Sequence, residues 1–296
     1  MSANATAAAT ASYGDLSKMN FTGGFPTSSD LAPSIVFLII YVTLLPLLLW
    51  RVISIRHRGL ILIRPCIFVA CRLGMLGLRA YMSKDSYGEG ELIAELVLVS
   101  IGYLFLMEPV IEMWRRHVAT AVSVHEAPRW VTRLSWVLKY ALLAAIGTAV
   151  AGASMISSAL NDSSTMSTVI SLRKASAILS FSVAAITLLA ILSTHVRFKL
   201  DARRTAYLVP LSCCLIVIAV YRLVQIYSTD PSATIRKPAC FWVLQMVFEL
   251  IVFVGILSIS IPAWFPKNRT DDDETEKDVE MGSEVRNTEY PESYAK

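Results

Sequence analysis

Three arginines lie within one apolar stretch of the sequence, where charged side chains are unfavourable. The stretch at residues 60–81, LILIRPCIFVACRLGMLGLRAY, is long enough to cross a bilayer and contains Arg64, Arg72 and Arg79. Guanidinium groups in hydrocarbon require anionic or polar partners, so arginines of this kind mark ion pairs or sites for polar headgroups. Arg72 and Arg79 are seven residues apart and therefore share one face of a helix.

Acidic residues occur in the other apolar runs at matching depths. With a rise of about 1.5 Å per residue, Arg72 and Glu249 both lie near the membrane midplane. Arg79 and Glu95 lie together toward the outer surface. Gln245 precedes Glu249 by four residues, which places both on one helix face. We therefore predict an ion pair between Arg72 and Glu249, with water or a polar ligand group beside it.

Further polar residues extend this predicted interior toward both surfaces. Arg222 lies toward the outer end of its run with Glu95 as its nearest partner, and Gln225 lies one turn further on. The candidate ligand-binding residues are Arg72, Arg79, Glu95, Arg222, Gln225, Gln245 and Glu249. A separate charge cluster toward the inner surface comprises Arg64, Glu108 and Glu112. Such ion pairs either fix helix positions or bind a polar headgroup, and the sequence leaves both roles open.

The composition indicates a membrane protein. Of the 296 residues, 55% are hydrophobic and 17% are charged, and the mean hydropathy is +0.55. An ordinary soluble domain is roughly 45–50% apolar. Seven runs are of about the length that spans a bilayer, at 31–50, 60–81, 92–113, 134–159, 169–195, 206–227 and 239–262. The predicted fold class is an all-α integral membrane bundle of seven transmembrane helices.

Polar segments flank this predicted bundle on both sides. Residues 1–30 are rich in small and polar side chains, and they are predicted to form a disordered extracellular tail. Residues 31–262 form the transmembrane domain. Residues 263–296 are predicted to be a disordered cytosolic tail, which after residue 266 has five Lys and Arg against ten Asp and Glu.

The distribution of cations predicts the orientation. Lys and Arg accumulate after the first run, between the third and fourth, between the fifth and sixth, and after the seventh. The positive-inside rule puts these regions in the cytosol and the N-terminus outside. The net basicity is thus explained by cytosolic loops, and no nucleic-acid partner is predicted. Candidate glycosylation sites on the outer side are Asn4, Asn20 and Asn161.

This sequence lacks residues that several known classes of seven-helix proteins require. The seventh run contains no lysine for a retinal Schiff base. The third run ends Glu112-Met-Trp-Arg115-Arg116, which only loosely resembles the signature of rhodopsin-class receptors. The seventh ends Leu257-Ser-Ile-Ser-Ile-Pro262, where those receptors usually have Asn-Pro-x-x-Tyr. All four histidines lie at the predicted cytosolic boundary, whereas seven-helix zinc hydrolases need histidines that converge within the bundle. We predict neither a metal nor a cofactor, and no nucleophile and base pair indicates an enzyme.

Short motifs with charged residues are spread over roughly residues 31–262. They are Arg64-Pro65, Arg72, Arg79, Gly88-Glu-Gly-Glu91, Ala94-Glu95, Glu108-Pro109, Tyr221-Arg222 and Glu249. By these motifs the chain resembles an uncharacterised family of fungal seven-helix membrane proteins. That family is similar to the lipid-translocating exporters of fungi, which are linked to resistance to amphiphilic toxins. The chain departs from the exporters at Gln225, near which they are expected to have a glutamate. The resemblance implies transport of a lipid or amphiphile.

Two classes of function remain open from the sequence. In the first, the protein moves a lipid or other amphiphile, with the buried charges offering sites for its headgroup. In the second, it is a receptor-like sensor whose basic inner loops and acidic tail engage cytosolic proteins. A continuous polar path through the bundle favours transport, whereas an outward-facing pocket closed toward the cytosol favours sensing.

Overall fold

In the part of the chain that the structure describes, seven helices are long and apolar enough to cross a membrane. The computed structural model describes residues 26–54, 60–84, 87–122, 128–159, 162–228 and 233–266, and within these ranges it contains no strand. The spans are α1 (Ser28–Ile53), α2 (Ile63–Met82), α3 (Gly90–Ala121), α4 (Arg129–Ser154), α5 (Ser164–Phe198), α6 (Ala202–Tyr227) and α7 (Pro238–Ser258). The predicted all-α fold class is confirmed, and each predicted apolar run overlaps one of these helices.

Large apolar side chains face outward along the spans. Ile53 is 75% exposed, Val196 is 78% exposed, and Leu189 is 64% exposed. A helix satisfies its own backbone hydrogen bonds, which is required of a chain segment surrounded by lipid. The apolar outer surface is therefore the part of the bundle that lipid covers.

Successive spans run in opposite directions and pack side by side. α4 packs along α5 and α5 along α6, while α2 lies against both α1 and α3, and α7 packs on α6. One end of the bundle holds the starts of α1, α3, α5 and α7, and we call it the Asp30 end. The opposite end holds the starts of α2, α4 and α6, and we call it the His117 end.

Two spans depart from regular α-helix. α3 consists of two helical segments, Glu89–Gly102 and Leu104–Ala121, which are separated by Tyr103. α7 begins as Pro238–Cys240, continues as a π-helix over Phe241–Val247, and ends as an α-helix over Phe248–Ser258. A π-helical turn inside an α-helix is uncommon and often occurs at functional positions. Both irregularities lie beside the buried charges.

Short helices connect or extend the spans. α1 opens with a 3₁₀ turn at Ser28–Asp30, ahead of its α-helix Leu31–Ile53. The others are Leu60–Leu62, Ile156–Ala159, Thr234–Arg236 and Ile261–Trp264. The last predicted run reached residue 262, but α7 ends at Ser258 because Ile259 has an extended backbone before the final short helix begins.

The prolines within the spans have different surroundings. Pro46 and Pro210 lie inside α1 and α6, as expected of kink positions. Pro65 lies in the first turn of α2, where the missing N–H costs no hydrogen bond. Pro65 therefore starts a helix and does not interrupt one.

Candidate functional site

Arg72 and Glu249 form an ion pair in the centre of the bundle. Arg72 Nε donates to Glu249 Oε2 and Arg72 Nη2 donates to Glu249 Oε1, both at 2.6 Å. Both side chains are fully buried. Gln245 Nε2 donates to Glu249 Oε1 at 3.0 Å, and the guanidinium of Arg72 lies 5.4 Å from the ring centroid of Phe68. The predicted contact is confirmed, and it joins α2 to α7.

Gly102 lets α3 approach this pair closely. A Cβ atom at position 102 would lie 2.9 Å from Cζ of Arg72, closer than side chains tolerate. Arg72 Nη1 also makes a long contact to the carbonyl of Leu98, at 3.4 Å. The backbone of α3 therefore covers the guanidinium on one side, while Glu249 and Gln245 cover it on another.

A second buried cluster surrounds Arg79 at the Asp30 end. Arg79 Nη1 donates to Glu95 Oε1 at 2.5 Å, and Arg79 Nη2 contacts Asp30 Oδ2 at 3.3 Å. Trp242 Nε1 donates to Asp30 Oδ1 at 3.0 Å. The rings of Phe241 and Trp242 lie 5.2 and 5.6 Å from the guanidinium carbon. This cluster connects α1, α2, α3 and α7.

Asp30 is a residue that the sequence analysis assigned to the N-terminal tail. In the structure its side chain is 1% exposed, and it accepts a hydrogen bond from the backbone N–H of Thr27 at 3.1 Å. An acidic residue directly before an apolar run is a common signal for the start of a helix. That signal was present in the sequence and would have placed Asp30 in the bundle.

The two clusters hold helices together and leave little room for a ligand. The side chains of Arg72, Arg79, Glu95, Gln245 and Glu249 are all fully buried. Their charges are compensated by one another, as ion pairs within a low-dielectric interior must be. Five of the seven candidate ligand residues are thus bonded within one or the other of these two clusters.

Arg222 does not bind Glu95, contrary to the prediction. Its Nη1 donates to the carbonyl of Ser100 at 2.8 Å and its Nη2 to the carbonyl of Val99 at 3.2 Å. The break of α3 at Tyr103 leaves these carbonyls at a helix end, where intrahelical donors are missing. The guanidinium also stacks 4.4 Å from the Tyr103 ring. Glu95 is already occupied by Arg79, so the helix break offers Arg222 the better partners.

A polar pocket lies between α3, α4, α5 and α6, in the half of the bundle nearer the Asp30 end. About 30 Å³ of it admits a water-sized sphere, which is room for about two water molecules, and its mouth is open. Six of its nine lining residues have polar side chains, and two of these are arginines. The lining residues are Ser100, Tyr103, Ala149, Arg173, Ser176, Ala177, Arg222, Gln225 and Ile226. Of the seven candidate ligand residues, Arg222 and Gln225 therefore lie at a pocket.

Arg173 is a pocket residue that the sequence analysis missed. It lies near the start of the fifth predicted run, 169–195. α5 extends from Ser164 to Phe198, so Arg173 lies about two turns inside the helix. The positive charges of Arg173 and Arg222 repel each other across the pocket. A comparison of the depths of Arg173 and Arg222 along their runs would have identified the position of Arg173 from the sequence.

The charges toward the His117 end divide into two separate groups. Arg64 Nε lies 2.6 Å from Glu108 Oε2, as predicted, and both side chains are partly exposed. Glu112 does not join them, contrary to the prediction. It accepts from Arg115 at 2.8 Å, Arg116 at 3.0 Å and Lys139 at 2.8 Å. Lys139 was not singled out in the sequence, but it binds Glu112 from α4 and so ties α4 to α3.

Two histidines at this end share one hydroxyl group. The Oγ1 atom of Thr205 lies 3.1 Å from Nε2 of His117 and 3.1 Å from Nδ1 of His195. Trp114 Nε1 donates to Thr194 Oγ1 at 3.1 Å. These bonds connect α3, α5 and α6. Among the residues that the structure describes, no group of three or more His, Cys, Asp or Glu side chains has the arrangement of a metal site.

The candidate glycosylation sites Asn4, Asn20 and Asn161 lie outside the described residues. The same holds for most of the two predicted tails, including the acidic segment after residue 266. These predictions therefore stay predictions. The predicted boundary at residue 263 is wrong, because the helix Ile261–Trp264 crosses it and Phe265 is fully buried.

Comparisons with known proteins do not assign the chain to a family. No protein-family model, no curated protein and no solved structure matches it. Together, the fold and the site define a seven-span membrane protein with buried ion pairs and, between α3, α4, α5 and α6, a polar pocket lined by two arginines. A second pocket with two arginines lies at the His117 end, where its lining is Asp201, Arg203, Arg204, Ala263 and Trp264.

Proposed function

We propose that the protein binds a lipid or other amphiphile and moves it through the membrane, with the headgroup entering the pocket between α3, α4, α5 and α6. The observation that carries this proposal is the polar pocket inside an otherwise apolar part of the bundle. Buried polar groups are unfavourable without partners, so such a pocket is suited to water or a polar ligand group. Transport of an amphiphile is also what the resemblance to the fungal exporters implies.

The distribution of the ion pairs supports a bundle with one fixed part and one moving part. Arg72 with Glu249, and Arg79 with Glu95 and Asp30, link α1, α2, α3 and α7 through fully buried contacts. The pocket lies on the other side of α3, next to α4, α5 and α6. The helices α1, α2, α3 and α7 are held together firmly, because separating them would expose buried charges to lipid. Movement of α4, α5 and α6 against them would open and close the pocket.

A second candidate function is sensing, and one observation favours it. Between the pocket and the His117 end, the interior consists mainly of buried apolar side chains such as Met107, Trp114 and Leu215. Met107 and Leu215 also line a small cavity there, whose accessible surface is apolar. This conformation therefore has no continuous polar path through the described part of the bundle. Transport requires a second conformation that opens the His117 end, whereas a sensor binds its ligand without one.

Translocation by the purified protein in lipid vesicles tests the proposal. A short-chain lipid with a fluorescent label is incorporated into both leaflets, and a membrane-impermeant quencher reports how fast label from the inner leaflet reaches the outer one. We expect faster movement with the wild-type protein than in protein-free vesicles. The matched control is Ala177→Leu, which places a larger side chain in the pocket wall and should slow movement without removing any charge. Ligand binding without accelerated movement would support the sensor instead.

A further inference from the structure

We infer that the pocket between α3, α4, α5 and α6 is a site for a phosphate group, held between Arg173 and Arg222 as the headgroup of a membrane amphiphile. The inference rests on the proposed function, because it names the chemical class of the amphiphile that the protein moves. It assigns a binding role to Arg173 and distinguishes the pocket from the buried ion pairs.

The charges that line the pocket favour an anion. Arg173 and Arg222 both line it, and none of the other seven described lining residues is acidic. Two guanidinium groups that repel each other across a partly buried pocket raise its energy, since the effective dielectric constant is lower there than in water. An anion between them would replace that repulsion with two attractive interactions.

Arg222 is held in a position that leaves donors for a ligand. Its contacts with the carbonyls of Ser100 and Val99 account for two of the five N–H groups of a guanidinium. Stacking on Tyr103 further limits its orientation. A positioned guanidinium binds phosphate oxygens well, because its planar fork can donate two parallel hydrogen bonds.

The remaining wall of the pocket suits a group with several acceptor oxygens. Ser176 and Gln225 contribute a hydroxyl and an amide, and Ala149 and Ala177 occupy little space. Ser176 Oγ donates its only proton to the carbonyl of Ala145 at 2.8 Å, so it makes the wall polar without being a donor to a ligand. A tetrahedral phosphate has enough oxygens to accept from both guanidinium groups at the same time. A carboxylate has only two oxygens with which to do so.

Lys174 provides a matched control for the loss of charge. It is the neighbour of Arg173 on α5, but it does not line the pocket, and its ammonium lies 5.2 Å from the ring centroid of Tyr227. Lys174→Gln and Arg173→Gln thus remove the same charge from adjacent positions. Only the second substitution changes the pocket.

Binding to the purified protein in a non-ionic detergent tests the inference. The probes are a short-chain phosphatidic acid, the diacylglycerol with the same chains, a cationic dialkylammonium of similar length, and inorganic phosphate. We expect the phosphatidic acid to bind at least about tenfold more tightly than the other three. Arg173→Gln and Arg222→Gln each weaken this binding roughly ten- to a hundredfold, which is the range for hydrogen bonds to charged groups. Lys174→Gln leaves it unchanged.

The outcomes separate this inference from the proposed function. If the diacylglycerol or the cationic amphiphile binds as tightly as the phosphatidic acid and is translocated, the phosphate site is wrong and the proposed function stands. If no amphiphile binds or moves, both are wrong. Equal binding of inorganic phosphate would contradict an amphiphile as the source of the anion. Should Arg222→Gln fail to fold, the probe series on the wild-type protein and the comparison of Arg173→Gln with Lys174→Gln decide the matter.

Discussion

Arg72 of α2 and Glu249 of α7 meet through two hydrogen bonds of 2.6 Å, with neither side chain accessible to solvent. The guanidinium of Arg72 and the carboxylate of Glu249 thus compensate each other's charge, and Gln245 adds a third hydrogen bond to the carboxylate. The charge of each residue is therefore tolerated in the interior only because of the other.

The first prediction concerns this pair. Arg72→Leu or Glu249→Leu alone is expected to lower the free energy of unfolding by about 3–5 kcal/mol, because each leaves an uncompensated buried charge. The double substitution removes both charges and is expected to recover part of that loss. Denaturant unfolding of the four proteins in detergent micelles measures the interaction between the two positions. Strictly additive effects would show that the pair does not contribute as described.

The second prediction concerns the close approach of α3. Gly102→Ala places a methyl group 2.9 Å from Cζ of Arg72, and it is expected to cost about 1–3 kcal/mol through displacement of the guanidinium or of α3. Gly147→Ala is the control, since a Cβ atom there has no described neighbour within 4 Å. Replacing this helical glycine by alanine is expected to be neutral or to stabilise by about 0.5–1 kcal/mol. Thermal unfolding of both variants provides the comparison, and equal effects would refute the contact.

The third prediction concerns Trp242. Trp242→Phe keeps an aromatic ring beside Arg79 but removes the N–H that donates to Asp30. We expect a loss of about 1.5–3 kcal/mol, the range for a hydrogen bond to a charged group. Trp136→Phe is the control because that side chain is 55% exposed on the outer surface of α4. Unfolding monitored by circular dichroism compares the two, since the substitutions alter tryptophan fluorescence directly.

The fourth prediction concerns orientation. The distribution of Lys and Arg predicts that the chain begins outside and ends in the cytosol. A tag fused after residue 296 is therefore expected to resist external protease in sealed, right-side-out vesicles and to be digested once detergent is added. A tag fused at the N-terminus serves as the opposite control. Digestion of the C-terminal tag in intact vesicles contradicts the orientation.

The seven spans and the central ion pair could be predicted because both depend on properties that sequence displays directly. Apolar runs of sufficient length indicate spans, and counting along them estimates depth. Arg72 and Glu249 have similar depths and opposite charges, so their contact followed. The pairing of Arg79 with Glu95 and of Arg64 with Glu108 followed by the same reasoning.

Partners that depend on backbone irregularity or on rotation about the helix axis could not be predicted in this way. Arg222 binds two carbonyls that are accessible only because α3 breaks at Tyr103. Glu112 contacts Arg115, Arg116 and Lys139. Which cations it contacts depends on the direction in which its side chain faces. Depth alone does not distinguish Arg64 from these three cations.

The two buried arginines of α2 differ in how far along the chain their acidic partners lie, and therefore in how late during synthesis those partners are made. Arg79 finds Glu95 only 16 residues later, in the next span to leave the ribosome. Arg72 finds Glu249 only 177 residues later, in the last span. Until α7 enters the membrane, a nascent chain therefore carries an arginine in its second span whose counter-charge has not yet been made. A chain that stops before α7 retains this defect permanently, which makes such a fragment a natural target for quality-control proteolysis.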